Sequence, residues 1–444
     1  MSASSGIKLV DVAKSSKKSY VTKAPKKITG STINALDWLT DYKDPTRFNE
    51  EKELEGLFYE ISKQRHVSDI VIRPDSPICL KVKGEGLKAV SHRVMDLIEA
   101  EQLVKLLTAN DSIFSEIRNG NPVSGLAKVL ENEEDGAAKY SSLGTRVKAR
   151  YRYEVTACAS PKNEDAFSAI IRPLPIEPIK YDKLGMDEAF VNMCIVKDGI
   201  VLFAGATGEG KSTSLAAIIR YIAENDTIIK GILLTHEDPI EVSYDNIEST
   251  HSVIIQSSIG EGQHVVSFDA ANRSAMRRSP DLVLVGELRD GPTVESAVEL
   301  SLTGHPVFAT THANNVSAIL PRLISRFPQD IQGQKAYDII DTVRVLVAQK
   351  LIKNTNDEVF AVREVLRFTP ELRQYLKPLT VTPDLLYKKI DAIMKAGLLG
   401  SQSYERQGKD LLARGVIDQH NYRLLVEDSH AFDEDVLSQL DALL

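Results

Sequence analysis

Gly205-Ala206-Thr207-Gly208-Glu209-Gly210-Lys211-Ser212, followed by Thr213, has the residue types and spacing of a phosphate-binding loop. Its glycines let successive backbone N–H groups turn inward and line a nest for a phosphate. Lys211 can reach the β- and γ-phosphates as a point charge, and the Ser212 hydroxyl can ligate Mg²⁺. The chemistry implied is binding of ATP with Mg²⁺. Two elements must hold such a loop. The apolar, β-branched run Gly199 to Ala204 reads as a buried strand, and Leu215, Ile218, Ile219 and Ile222 lie at helical spacing within Thr213 to Glu224. Strand, loop and helix together put the phosphate at a helix N-terminus, where the dipole favours it.

Three further constellations follow apolar runs, at the strand ends where ligands bind in open α/β sheets. In Thr235-His-Glu-Asp-Pro-Ile-Glu241, Glu241 can orient or deprotonate an attacking water, while Glu237 and Asp238 can hold Mg²⁺ through water. Alone, the same residues also read as an ordinary acidic turn. In Leu282-Val-Leu-Val-Gly-Glu287-Leu-Arg-Asp290, an apolar strand ends in an acid, the device that supports Mg²⁺ beside a phosphate loop. In Thr303-Gly-His305-Pro-Val-Phe-Ala-Thr-Thr311-His312, two histidines flank one buried strand, and one near a γ-phosphate can sense hydrolysis.

The rest of the chain supplies the frame. Its 444 residues suggest two or three domains, and 43% hydrophobic content is that of a globular protein. The net charge of −8 argues against a general nucleic-acid binder, and no direct sequence-specific nucleic-acid binding is expected. Cys79, Cys158 and Cys194 have no metal or redox spacing and read as structural thiols. No apolar run approaches the length of a transmembrane helix, and the N-terminus has no signal-peptide core. The expected location is cytoplasmic, with any membrane association peripheral.

Residues 1–45 read as a disordered basic tail, either solvated or touching anionic lipid. Residues 46–190 read as an α+β domain and its linker, with strands at Asp69–Arg73, Ile78–Lys83, Arg146–Val155 and Ala166–Arg172 and a helix at Ile98–Leu107. Glu131 to Gly136 reads as an acidic surface loop, and Pro173, Pro175 and Pro178 mark the linker. Arg146, Arg150 and Arg152 alternate along one strand face, which is either solvated or closes onto a phosphate. Residues 191–365 alternate strands with helices, at Ile200–Ala204, Gly231–Thr235, Asp281–Val285, Val307–Thr311 and Val343–Gln349, which implies a parallel sheet with crossover helices. Residues 366–444 read as helical, with Leu411, Leu412, Val416 and Ile417 on one face. The acidic end, Asp428 to Leu444, either packs on its own domain or docks a partner.

In this order the motifs resemble those of the secretion ATPases of type II and type IV systems, PilT-like branch. The carriers are the phosphate loop, Glu-Asp-Pro-Ile-Glu (237–241), Val-Gly-Glu-Leu-Arg-Asp (285–290), Thr-Gly-His-Pro-Val (303–307) and Thr-His (311–312). The likeness extends from Ser68-Asp69-Ile70 to Thr369-Pro370-Glu-Leu-Arg-Gln-Tyr-Leu376 and covers about residues 50–425. Gly205 to Thr213, Ser252 to Ser257 and Thr303 to Pro306 are most similar to the DotB and conjugative TraJ ATPases of type IVB systems. Thr311-His312-Ala313-Asn314 departs from the usual Leu-His-Thr, and the 45-residue tail is long for the family.

The resemblance implies an α/β fold, with a PAS-like α+β N-terminal domain followed by a RecA-like P-loop ATPase domain with C-terminal helices. It implies a homohexamer that hydrolyses ATP with Mg²⁺ and serves inner-membrane or cytoplasmic components of a secretion or conjugation apparatus. It assigns Glu241 as catalytic carboxylate, Glu287 as the Mg²⁺-site acid and His312 as the second-histidine residue. It also implies γ-phosphate arginines drawn from Arg146, Arg150, Arg152 and Arg172, with Arg152 and Arg172 ranked first. The alternatives are a pilus retraction ATPase, a regulatory nucleotide-binding module without turnover, and a DNA-translocating motor. Intact Lys211, Glu241 and Glu287 disfavour the second, and the acidic charge disfavours the third.

Overall fold

Every position of the strands Gly199–Ala204, Leu282–Val285 and Pro306–Thr311 is buried. That is the signature of strands inside a parallel sheet covered on both faces. The computed structural model describes residues 51–427 apart from 65–66, 91–92, 131–146, 161, 261–262 and 380–382. The basic tail, the acidic loop at 131–136, Arg146 and the acidic end from Asp428 lie outside the described residues. The chain divides into two units, Met1–Ala127 with Tyr151–Pro173, and Lys128–Arg150 with Leu174–Leu444.

A sheet of six strands lies mostly in the first unit: β1 (Val67–Ile72), β2 (Cys79–Val82), β3 (Gly86–Ala89), β4 (Val123–Leu130), β5 (Val147–Cys158) and β6 (Ala166–Leu174), with Lys128–Leu130 of β4, Val147–Arg150 of β5 and Leu174 of β6 in the second. Their order is β3-β2-β1-β6-β5-β4, with β1 antiparallel to both neighbours. Helices α1 (Glu51–Ser62), α2 (Leu97–Thr108) and α3 (Ile113–Arg118) complete it. Asp96 starts α2 by accepting the Glu99 N–H, an N-cap that relieves one orphan donor of the first turn. Leu57, Phe58 and Ile61 of α1 are buried, and the Phe58 ring meets Tyr151 edge-on at 4.7 Å between centroids.

The second unit carries β7 (Gly199–Ala204), β8 (Gly231–Glu237), β9 (Ser252–Ser258), β10 (Leu282–Val285), β11 (Pro306–Thr311), β12 (Val343–Lys353) and β13 (Val359–Arg367). Their order is β13-β12-β7-β11-β10-β8-β9, parallel throughout except for the antiparallel β12–β13 pair. Helices α4 (Glu188–Cys194), α5 (Lys211–Glu224), α6 (Phe268–Ala275), α7 (Gly291–Leu302), α8 (Ile319–Ile324) and α9 (Gln332–Thr342) connect the strands. Successive residues of β7 feed opposite faces. Val201 and Phe203 join the cluster of Leu215, Ile218, Ile219 and Ile222 from α5, while Ile200, Leu202 and Ala204 join the cluster of α6 to α9.

The chain is of the α/β class, an α+β part followed by a mostly parallel sheet with helices packed on both faces. Helices α10 (Pro370–Leu376), α11 (Pro383–Ala396), α12 (Tyr404–Ala413) and α13 (Gln419–Val426) follow. They share the core of the nucleotide sheet, to which Leu386, Ile390, Ile393, Tyr404, Ile417 and Leu425 contribute. Strands β9 and β13 are additions to the sequence reading. Each edges the sheet and mixes polar residues into its run, so neither shows an uninterrupted apolar pattern.

Candidate active site

Strand β7 ends at Ala204, and the phosphate loop then turns into α5 through glycines that no other residue replaces without strain. Gly208 and Gly210 sit at φ of 88° and 74°, and Gly210 is the N-cap of α5 without a side-chain cap bond. At Gly205 a Cβ would lie 2.5 Å from the Gln349 carbonyl oxygen. The loop lies between β12 and β11 in sheet order, where the chain connections change direction.

Lys211 is buried, and its Nζ donates to the Gly205 and Ala206 carbonyls at 2.8 and 2.9 Å. Burial pushes its pKa down, while the charges of Glu287, Glu209 and Glu241 oppose that. These carboxylates therefore act on one ammonium from three separate segments. The loop is braced from behind by the buried side chain of Gln349 on β12. Gln349 donates to the Glu209 carbonyl at 2.5 Å and accepts from Ser214 and from Arg363 Nε, both at 2.8 Å. Glu209 also accepts the Leu351 N–H. Burial pushes Arg363 down to about 10.

Glu287 follows β10 and stands at the centre of a charged chain. Its Oε1 is 3.1 Å from His312 Nε2, and its Oε2 accepts from Arg289 Nε at 2.7 Å. Arg289 Nη1 in turn reaches Asp238 at 2.9 Å. His312 Nδ1 faces the Gly205 carbonyl at 3.2 Å, so both ring nitrogens meet acceptors and a neutral ring donates to only one. Arg289 thus ties the acid after β10 to the acidic turn after β8. The Asp238–Pro239 peptide within that turn is cis.

Within the turn the acids differ. Glu237 is buried, accepts from Thr235 at 2.6 Å and Gln256 at 3.0 Å, and burial pushes its carboxyl up. Asp238 and Glu241 are exposed. Arg150 is buried beside them, with Nε and Nη1 lacking hydrogen-bond partners; burial lowers its pKa while Asp245 and Glu237 raise it.

The close packing of these segments also rests on Gly286. A Cβ there would sit 2.9 Å from the His236 carbonyl oxygen. Gly286→Ala is expected to destabilise the protein by about 1–3 kcal/mol, read as a lower urea midpoint at constant slope. His236 itself is structural: burial pushes it down to about 4, and its Nδ1 lies 2.8 Å from Asn272.

Ser212, at the start of α5, is exposed, and the uncapped first turn offers backbone N–H groups to an anion. These residues fit a nucleotide with Mg²⁺. Among the described residues no group of three or more His, Cys, Asp or Glu could hold a metal alone, so a Mg²⁺ here would depend on the phosphates together with Ser212. His305 lies away from the loop at the start of β11, its Nδ1 3.0 Å from Thr303 Oγ1.

Arg152 and Arg172 belong to the first unit, where they line a cavity of about 240 Å³. Arg172 is paired there with the buried Asp69 through Nε and Nη2, both at 2.9 Å. Gln349, Arg363 and Arg289 have no role in the sequence reading; polar residues inside β12 and β13 and a Glu-x-Arg pair after β10 are their signals.

A family model described as type II/IV secretion system protein matches residues 154–378. The type IV pilus retraction ATPase PilT of Pseudomonas aeruginosa is 33% identical over 255 residues, 57% of this chain and 70% of the relative. Two crystal structures of the ATPase DotB superpose on the chain. That from Yersinia pseudotuberculosis has a TM-score of 0.71 at 34% identity, covering 90% of this chain and 99% of that one. That from Legionella pneumophila has a TM-score of 0.72 at 29% identity, covering 87% and 98%.

Proposed function

The chain belongs to the type II/IV secretion system protein family and is an ATPase; on that premise we propose that it is the hexameric motor of a type IVB secretion or conjugation machine. The observation that carries the reading is the buried phosphate-loop Lys211 held at the start of α5 by its own loop carbonyls, with His312 bridging the loop to Glu287. In this reading Lys211 and the α5 N-terminus hold the β- and γ-phosphates. A Mg²⁺ held here would supply charge neutralisation at the phosphate oxygens. Ser212 would be its protein ligand, with Glu287, Glu237 and Asp238 supporting it through water. Glu241 is exposed and free to orient the attacking water. Arg289 and His312 hold Glu287 from two sides, so a change at the γ-phosphate is passed to the acidic turn.

The type IVB assignment is supported by the likeness at residues 205–213, 252–257 and 303–306 and by the near-complete coverage of DotB. No helix of the described residues is long and apolar enough to cross a membrane, so recruitment to the inner face of an inner membrane would be peripheral. Pilus retraction is the second reading, favoured by the identity with PilT.

Glu241→Gln is expected to keep ATP binding while lowering hydrolysis about 10²-fold or more, since the amide keeps the shape and loses the charge. An active Glu241→Gln beside an inactive Glu287→Gln reverses the two roles. Placed in the chromosome, the inactive variant should stop effector or plasmid transfer. Normal transfer with loss of pilus retraction selects the second reading.

A further inference from the structure

At the edge of the nucleotide sheet opposite the phosphate loop, where β7 and β12 begin, lies a cavity of about 630 Å³. Its lining includes four cations, Lys197, Arg344, Arg367 and Arg373, against one carboxylate, Asp198. That carboxylate is already taken. Arg344 holds it through Nε at 3.0 Å and Nη2 at 2.5 Å, and spends Nη1 on the carbonyls of Asp341 and Thr342 at 2.8 and 3.0 Å. The Asp341 carboxylate beside the cavity is likewise engaged, by Lys377 at 2.5 Å. Arg373 donates Nη1 to the Phe368 carbonyl at 3.2 Å. Burial lowers its pKa, and the neighbouring Arg344 charge lowers it further, against opposing pulls from Asp341, Asp198 and Glu371. Like charges are therefore held close in a concave site with a surplus of cations. Such a surplus costs free energy until an anion enters. The buried Phe368 and the partly buried Val196 give the same cavity an apolar wall.

We infer that this cavity is a second anion site, built to take a phosphate or pyrophosphate group. Guanidinium forks match phosphate oxygens two at a time, which a carboxylate-bearing peptide satisfies less fully. The volume suits a small phosphorylated molecule, with its apolar part against Phe368. The site is separate from the nucleotide site: the whole length of β7, about 20 Å, lies between Gly199 and the loop. Both strands that border it also reach the nucleotide. β7 runs into the loop, and β12 runs from Arg344 to the Gln349 that braces it.

The test uses the full-length protein with its nucleotide site saturated by Mg-ADP, titrated with pyrophosphate in a calorimeter. One further pyrophosphate per chain is expected. Arg367 and Lys197 are exposed, and Arg367→Ala with Lys197→Ala should weaken that event about 10-fold or more while leaving ADP binding unchanged. Arg373→Gln should do the same without relying on those two positions. Vesicles of phosphatidylcholine with and without phosphatidic acid separate the sources. Sedimentation only with phosphatidic acid, lost in the same variants, identifies a lipid headgroup. Binding of pyrophosphate without sedimentation identifies a soluble phosphate. Absence of both, or binding undiminished in all the variants, overturns the assignment.

Discussion

Lys211→Ala is expected to lower ATP turnover by at least about 10³-fold while the protein remains folded. The Lys211 side chain is buried at the start of α5, and its ammonium donates to two carbonyls of its own loop, Gly205 and Ala206. Those bonds are local, so their loss removes little from the core. Against a transferring phosphoryl group the same ammonium faces developing negative charge in a site shielded from water, where a preorganised cation contributes most. The charges of Glu287, Glu209 and Glu241 oppose the lowering of the Lys211 pKa by burial, so they favour the charged ammonium that the phosphates require. Hydrolysis is measured by phosphate release and folding by thermal denaturation. Turnover within tenfold of the parent would show that the nucleotide is held elsewhere.

The residues at the centre of that result were legible because their signal is local. A phosphate loop is eight consecutive residues, and its flanking strand and helix announce themselves by apolar run and by helical spacing. Glu287 and His312 were legible for the same reason, each closing an apolar strand. What the sequence hides is support that comes from far along the chain. Gln349 grips the loop carbonyl of Glu209 across 140 residues, and it does so only because β12 pairs with β7. Arg363 reaches Gln349 because β13 folds back antiparallel on β12. Neither pairing is written in the periodicity of β13, whose buried Arg363 and Glu364 break the apolar run. Arg289 was in plain view two residues after Glu287, yet its bond to Asp238 depends on β8 and β10 lying side by side.

The arginines carry the second large effect, and here burial changes the order of interest. The sequence put Arg152 and Arg172 first. Arg172 has its charge matched by Asp69, whose buried Oδ1 accepts from both Nε and Nη2. Arg172→Ala therefore removes an ion pair as well as any phosphate contact, and the two effects must be separated. The Arg172→Ala, Asp69→Asn double variant does this, because it leaves no unpaired buried carboxylate. Arg150 is in the opposite condition. Its guanidinium is buried with two nitrogens lacking hydrogen bonds, beside the acidic turn that ends in Glu241. A buried, unsatisfied guanidinium is costly unless something completes it, and the γ-phosphate is the group that the neighbouring motifs are built to hold. Arg150→Ala and Arg152→Ala are each expected to lower turnover about 10³–10⁵-fold in assembled protein, with ADP binding retained. Arg150→Lys keeps a charge without the fork and should recover only part of the loss. The same contact would report nucleotide state, since its partner charge leaves with phosphate. Single-turnover phosphate release separates the chemical step from nucleotide binding. If all three positions tolerate alanine without loss of that step, none of these arginines meets the γ-phosphate and the developing charge is met by Lys211 alone.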